Sequence, residues 1–365
     1  MLDYEREDFE LLQLQTLRQM FKIQFRKFAD ENSGFVDKYD NDRIIDDFVF
    51  MCMLVGNDFL THTPHLEIDS GALSLMLATY MDLLPVMGGF LTDKEKIHPD
   101  RFETFLANLM PYEEEHFQRR SIEENEPRWG LSSSEDFSYR EYYYQEKLNI
   151  DPNDEDAMKK RRAIVRDYIE GLHWVLNYYH NGCPSWEWFY PHLYSPLCTD
   201  MVNLREFYDE SNDAAFDTFP FQQGEAFPSL VQLLSVLPPQ SAQLLPESYA
   251  ELMLDPASPI AQYYPKDFTT DANGKRQPWE AVVQIPFIES QALLDVVGQI
   301  DDAPEGSVTP LTKAELKRNE RGQIWTYEPE NKGTNRVVYS DAPKKFKTKG
   351  KGRPPRRRAP KAPRN

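Results

Sequence analysis

The sequence predicts a mainly α, irregular multi-helical domain with short extended segments, followed by a disordered basic tail. Three observations carry that expectation. Several long stretches repeat apolar residues at helical spacing, prolines recur every few residues from 184 to 310, and the last 22 residues contain no acid. The domain is expected over residues 1–330, with a surface insertion at about 121–138, and the tail over 331–365.

Residues 9–28, "FELLQLQTLRQMFKIQFRKF", set Phe9, Leu12, Leu17, Met20, Phe21, Phe25 and Phe28 near one helical face, behind the acids Glu5, Glu7, Asp8 and Glu10. A polar loop follows at 29–42. Asp46 or Asp47 is then expected to cap a helix carrying "DDFVFMCMLVGNDFLTH". Another apolar helix starts at Ser70 and ends about Pro85, and "GGFLTD" at 88–93 reads as a turn. "RFETFLANLMPYEEEHFQRR" at 101–120 is an amphipathic helix. The acidic, serine-rich 121–138 reads as the insertion, and "YREYYYQEKLNI" at 139–150 returns to ordered composition. "AMKKRRAIVRDYIEGLHWVLNYYHNG" is a long helix stopped by Gly182 and Pro184. Beyond it, short helices packed with extended segments fit the prolines better than a regular sheet.

Composition narrows the function classes. No run of 18 apolar residues exists, so no spanning helix and no membrane partner is expected. Three scattered cysteines, Cys52, Cys183 and Cys198, fit inert thiols in a reducing compartment and give no structural zinc spacing. The net charge of −19 conceals an asymmetry: residues 344–365 hold 11 Lys and Arg. Without them, 30 basic residues face 60 acidic ones, a body charge of −30. Such a body repels nucleic acid, whereas the tail attracts it. Within the tail, Arg356, Arg357 and Arg358 are the candidates for nonspecific nucleic-acid binding or for a nuclear address. The tail tilts localisation toward the nucleus over the cytoplasm.

Two clusters carry possible chemistry. Asp58 is a lone acid at the end of an apolar run. A buried carboxylate there costs several kcal/mol unless a cation or hydrogen bonds compensate it, which raises a metal question. The plain alternative is a turn aspartate satisfied by backbone donors. Asp58, His62 and His65 also form a D-x3-H-x2-H pattern, but Pro64 interrupts any single helix that could align them. In "CPSWEWFYP", Trp186, Trp188, Phe189 and Tyr190 are either a core plug or a platform on which nucleic-acid bases stack.

Long ordered segments add a resemblance. "IDDFVFMCMLVGNDFL", "GLHWVLNYYHNGCPSWEWFYPHLYSPL", "LLSVLPPQSAQLLPESYAELMLDPASPIAQYYPKDF", "NGKRQPWEAVVQIPFIESQALLDVV", "YREYYYQEKL" and "LTKAELKRN" resemble the Xrn family of 5′→3′ exoribonucleases. So does "GGFLTD" with "RFETFL". The likeness covers only the later, helical part of that family's core; no counterpart of its α/β nuclease region is found. It implies a metal-dependent phosphodiester hydrolase acting in RNA degradation, with Asp58 as a catalytic metal ligand and His62 adjacent to the active site. Thr61 stands where the family usually has proline. The resemblance also implies that Trp186 or Trp188 stacks RNA bases. Mg2+ or Mn2+ is the implied cofactor, single-stranded RNA with a 5′-monophosphate the implied substrate. Two-metal hydrolysis needs several converging carboxylates, so the chain alone is expected to be inactive. The other ligands are expected from a nuclease-region partner or a missing N-terminal segment. Two alternatives stand beside this reading: a non-catalytic RNA-binding or scaffold module, and an incomplete gene model of a full exoribonuclease.

Overall fold

The computed structural model describes residues 11–132, 137–208, 215–275, 277–301 and 309–319, and the short strands Trp325–Thr326 and Val338–Tyr339. The expected tail residues Arg356, Arg357 and Arg358 lie outside the described residues, as does Phe9.

The architecture is mainly helical. Helix α1 (Leu14–Gln24) is shorter than its periodicity predicts and gives way to a 3₁₀ turn at Arg26–Ala29. Phe21, Phe25 and Phe28 enter the core, whereas Leu17 and Met20, expected on the same face, are exposed together with Leu14 and Ile23. Its apolar contact with the body is made by its last turn and the 3₁₀ turn after it, while Arg18 pairs with Asp42 of the next helix.

Helix α2 (Asn41–Cys52) is capped by Asp40, whose carboxylate accepts from Asp42 N at 2.8 Å and Arg43 N at 3.3 Å. The expected cap at Asp46 or Asp47 is therefore corrected. Asp47 lies mid-helix, fully buried, and anchors the "GGFLTD" turn: it accepts from Tyr80 Oη (2.5 Å), Leu91 N and Thr92 N (2.8 Å each) and Thr92 Oγ1 (2.7 Å). Tyr80 belongs to α3 (Ala72–Met87), so one carboxylate ties two helices to the hairpin β1 (Thr92–Asp93) and β2 (Lys96–Ile97).

Helix α4 (Pro99–Glu123) opens with proline at its first position, where the missing N–H costs nothing. It continues through Pro111, a substitution costing about 3 kcal/mol in a free helix, because Leu109, Glu113 and Phe117 are buried around it. The stretch expected as an insertion plants Trp129 in the interior, stacked on Phe117 at 5.3 Å. Helix α5 (Tyr139–Leu148) starts in a reciprocal Ser138–Glu141 capping box. Helix α6 (Ala157–Asn181) ends at Gly182, where φ is +88°.

Three apolar clusters result. The largest joins α1 to α4 with α6; the second packs Phe117 and Trp129 against α5 and the start of α6. The third gathers α7 (Ser229–Val236), α8 (Glu247–Leu254) and α9 (Ser290–Asp301), with α10 (Lys313–Asn319) beside α7. Two further antiparallel pairs are β3 (Thr269–Asp271) with β4 (Val282–Gln284), and β5 (Trp325–Thr326) with β6 (Val338–Tyr339). Short strands and 3₁₀ turns between helices are what the prolines after residue 184 predict. Among the described residues, no helix is long and apolar enough to cross a membrane.

Candidate functional site

The site grows from the end of α2. After a 3₁₀ turn at Met53–Val55, Gly56 takes φ +92°, and a Cβ there would lie 3.1 Å from His62 N and 3.2 Å from His62 Cβ. Only glycine allows the chain to leave the helix and return so closely. Asn57 then clasps the loop: its Oδ1 accepts from Phe59 N (2.8 Å) and Leu60 N (3.0 Å), and its own N–H donates to Leu60 O (3.0 Å). The return strand is held by Thr63 N on Leu54 O (2.9 Å), Tyr168 Oη on Thr61 O (3.1 Å) and Ser195 Oγ on His62 O (2.9 Å). Thr61 contributes only its backbone carbonyl to this turn, and its Oγ1 is buried without a partner among the described residues.

Asp58 sits at the tip of the clasped loop and is exposed. This corrects the expectation of a carboxylate embedded in apolar surroundings. The apolar run belongs to α2 and the 3₁₀ turn; Gly56 breaks it, and Leu60 rather than Asp58 turns inward. Burial therefore creates no demand for a cation at Asp58. No hydrogen bond or ion pair engages its side chain among the described residues, which leaves both oxygens open to a ligand from outside.

Phe59, next to Asp58, leads into an aromatic wall. Its ring lies 4.8 Å from Trp174 and 5.1 Å from Tyr178. Trp174 stacks on Tyr178 at 5.5 Å with an interplanar angle of 7°, and on Trp188 at 5.4 Å with 22°. Gly171 makes this junction possible: a Cβ there would come within 2.5 Å of Leu60 Cδ2 and 3.0 Å of Trp188 Cη2. The tryptophans themselves are presented by a turn in which Ser185 Oγ accepts from Trp188 N (3.2 Å) and Ser185 O from Trp174 Nε1 (3.2 Å).

The two sequence candidates separate here. Trp188 is partly buried between Trp174 and Phe221, whereas Trp186 is 47% exposed with its backbone fixed by a bond to Gln223 O (2.8 Å). Of their neighbours, Tyr190 is buried, and Phe189 is exposed beside Phe287. The loop and wall adjoin, so the fold brings Asp58 and the tryptophans to one region through Phe59, Trp174 and Tyr178. Sequence reasoning did not single those three out. Trp174 and Tyr178 stand four apart on α6, one helical turn, which is the signal that would have found them.

Behind the loop, His62, His65 and His116 cluster with Glu113. Burial first, then Lys275, lowers the His62 pKa to about 4; burial lowers those of His65 and His116 to about 3. Burial pushes Glu113 up to about 7, although Thr199 Oγ1 (2.7 Å), Tyr139 Oη (3.1 Å) and Cys198 N (2.5 Å) donate to it. His65 Nδ1 is 3.9 Å from Glu113 Oε2, and neither of its ring nitrogens is hydrogen-bonded among the described residues. The D-x3-H-x2-H residues do not converge: Asp58 is outside and His65 inside. Among the described residues, no group of three or more His, Cys, Asp or Glu is arranged to hold a metal ion. Asp58 suits a hard cation as one oxygen ligand, but six such ligands are usual for magnesium.

An open carboxylate thus adjoins an aromatic wall on a helical scaffold, and among the described residues no further ligands join it to make a metal centre. Comparison with known proteins gives the family. Residues 38–137 and 135–349 match the Xrn1 helical domain, and the chain belongs to that family. It is 31% identical to human 5′-3′ exoribonuclease 1 over 87% of this chain and 21% of that protein. It is also 30% identical to the Drosophila melanogaster 5′-3′ exoribonuclease 2 homolog, over 80% of this chain and 37% of the relative. For Arabidopsis thaliana 5′-3′ exoribonuclease 2 the values are 29%, 77% and 36%. The chain thus spans between a fifth and two-fifths of the length of these relatives.

Proposed function

We propose that these residues form the helical part of a 5′→3′ exoribonuclease that degrades RNA, supplying one metal-ligand carboxylate and a stacking wall. The observation that carries this reading is the junction at Phe59, which joins the open Asp58 carboxylate to Trp174, Tyr178 and the tryptophan turn. Asp58 would be one ligand of Mg2+ or Mn2+, and the remaining carboxylates come from outside these residues, from a nuclease-region partner or a further segment. The bound ions would supply an activated water and stabilise the leaving oxygen. The chain's own residues do the rest: the Asn57 clasp holds Asp58 in place, and Trp186 offers its face to bases of a 5′-phosphorylated single strand. His62 fixes the return of the loop rather than touching RNA there. The basic run at 344–365 favours a nuclear role, with RNA processing as well as turnover.

The test is binding and digestion of 5′-phosphorylated RNA. Trp186→Ala should weaken binding by about 5- to 150-fold, the loss of about 1–3 kcal/mol of stacking. The purified 365-residue chain should not digest the RNA in magnesium; robust digestion would overturn the incomplete ligand set. The charge run at 344–365 favours a second reading, a non-catalytic RNA-binding scaffold. Removing that run would then abolish binding, while Trp186→Ala would change nothing.

A further inference from the structure

A cleft runs from the 56–62 loop to the C-terminal half of α4. One part, about 250 Å³, is lined by Asn57, His62 and Tyr194; the other, about 820 Å³, by His116, Arg119 and Arg120. Val55, His62, Lys275 and Glu280 line both, so the two parts are continuous. Pockets that take small ligands span about 300–1,000 Å³.

The polar groups on its walls are mostly donors. Arg119 Nη2 lies 3.3 Å from His116 Nδ1. A guanidinium only donates, so Nδ1 accepts and His116 carries its proton on Nε2, which has no partner among the described residues. The His62 ring likewise makes no hydrogen bond among them. Arg119 has no carboxylate partner among the described residues, whereas Arg120 is held by Glu124 (2.7 Å) and by Asn273 Oδ1 (3.3 Å). Lys275 is delivered by a tight turn in which Asn273 and Gly274 both have positive φ, and it pairs with Glu67 at 2.9 Å. After burial, Lys275 lowers the His62 pKa and Glu67 opposes it, while Arg120 and Arg119 lower that of His116.

Acids line the cleft as well. Asp69, Glu123 and Glu280 are exposed, and with Glu67 they outnumber the three cations. The cleft therefore cannot attract a long polyanion by its overall charge. It offers directed donors to a single phosphate.

We propose that this cleft binds the phosphate of a single nucleotide, with Arg119, His116, His62 and Lys275 as its donors. The cleft starts at the loop that carries Asp58, so a nucleoside 5′-monophosphate freed there would have a route and a holding site inside the helical part. Only that link to a released product rests on the exoribonuclease reading. The site itself stands on the cleft, and its test uses no RNA.

The experiment follows the ring signals of His62 and His116 by NMR, assigned with His62→Gln and His116→Gln, on titrating the full chain with uridine 5′-monophosphate, inorganic phosphate or uridine. Both phosphates should move the two signals and uridine should not; UMP should bind more tightly than phosphate. Arg119→Gln, an exposed position whose loss leaves the melting temperature unchanged, should weaken binding about tenfold by removing a charged hydrogen bond. Signals unmoved by UMP at about 10 mM, beyond a millimolar Kd, would overturn the proposal. So would shifts of equal size in Arg119→Gln, or a site that takes inorganic phosphate and excludes UMP. A failed Trp186→Ala test with retained UMP binding would remove the stacking wall and leave the cleft.

Discussion

Asp47 and Asp58 stand eleven residues apart in one apolar stretch and end in opposite surroundings. Asp47 is wholly enclosed and bonded by a tyrosine, a threonine and two backbone amides; Asp58 is exposed, with no partner among the described residues. The enclosed acid does structural work, holding α2, α3 and the hairpin together. The open one contributes nothing to packing, so its carboxylate is available to an external ligand. Burial of a carboxylate is thus a mark of architecture here, and the Asn57 clasp keeps the open acid where a ligand could reach it.

The largest expected effect falls on the enclosed acid. Asp47→Ala strands the Tyr80 hydroxyl and the Leu91 and Thr92 donors in a dry interior, at about 1–3 kcal/mol for each orphaned group before relaxation. Urea denaturation should show a loss of about 3–5 kcal/mol. A loss below about 1 kcal/mol would mean that water reaches the site, and the contrast with Asp58 would collapse.

Acid should act next, from beneath the loop. His62, with a pKa lowered to about 4, and His65, His116 and His173, lowered to about 3, are all held neutral by burial. An unfolded histidine titrates near 6.5, so the unfolded state takes up more protons as pH falls from about 6.5 toward 4, and these groups lose stability over that window. Asp47, raised to about 6, and Glu113, raised to about 7, act with the opposite sign, gaining stability as pH falls. Four groups against two leaves a net loss. The melting temperature should drop between pH 6.5 and 4, and His173→Gln should shallow the slope; a flat profile would show that the histidines are hydrated.

Much of the scaffold was legible in the sequence because periodicity reports faces directly. The stop at Gly182, the turn begun by Gly88 and Gly89 and the short helices after Pro184 follow from local chemistry, while Thr92 and Asp93 of the expected turn form β1. What failed was long-range. Nothing local says that Asp40 outcompetes Asp46 as a cap, because Asp47 is claimed by Thr92 from 45 residues away. Asp58 was misplaced because composition averages over the Gly56 turn, which reverses the chain within one residue. The cleft was illegible for the same reason: Arg119 and Lys275 meet His62 only through tertiary folding.

Gly171→Ala tests whether loop and wall are one unit. The added methyl meets Leu60 Cδ2, which can yield, and the stiff Trp188 ring, which cannot. Overpacking of this kind costs about 1–3 kcal/mol, and it should weaken RNA binding together with stability. Trp188→Ala should likewise cost both, since its ring fills space between Trp174 and Phe221, while Trp186→Ala should spare stability and weaken binding alone. Equal losses of stability for the two tryptophans would show that Trp186 is also a packing residue.

The smallest effect on stability belongs to Asp58→Ala. The side chain buries nothing, and the turn is held by Asn57 rather than by its neighbour, so unfolding free energy should stay within about 0.5 kcal/mol. On the proposed function, the same change should strongly reduce magnesium-dependent RNA digestion once a nuclease region is supplied, because the carboxylate that would hold an ion is gone. Asp58→Asn separates charge from shape: it keeps the loop and the volume, so a loss of digestion equal to that of alanine would identify the charge as the needed property. Full digestion by both variants would leave the open carboxylate without a task, and with it the idea that exposure at this loop tip marks function.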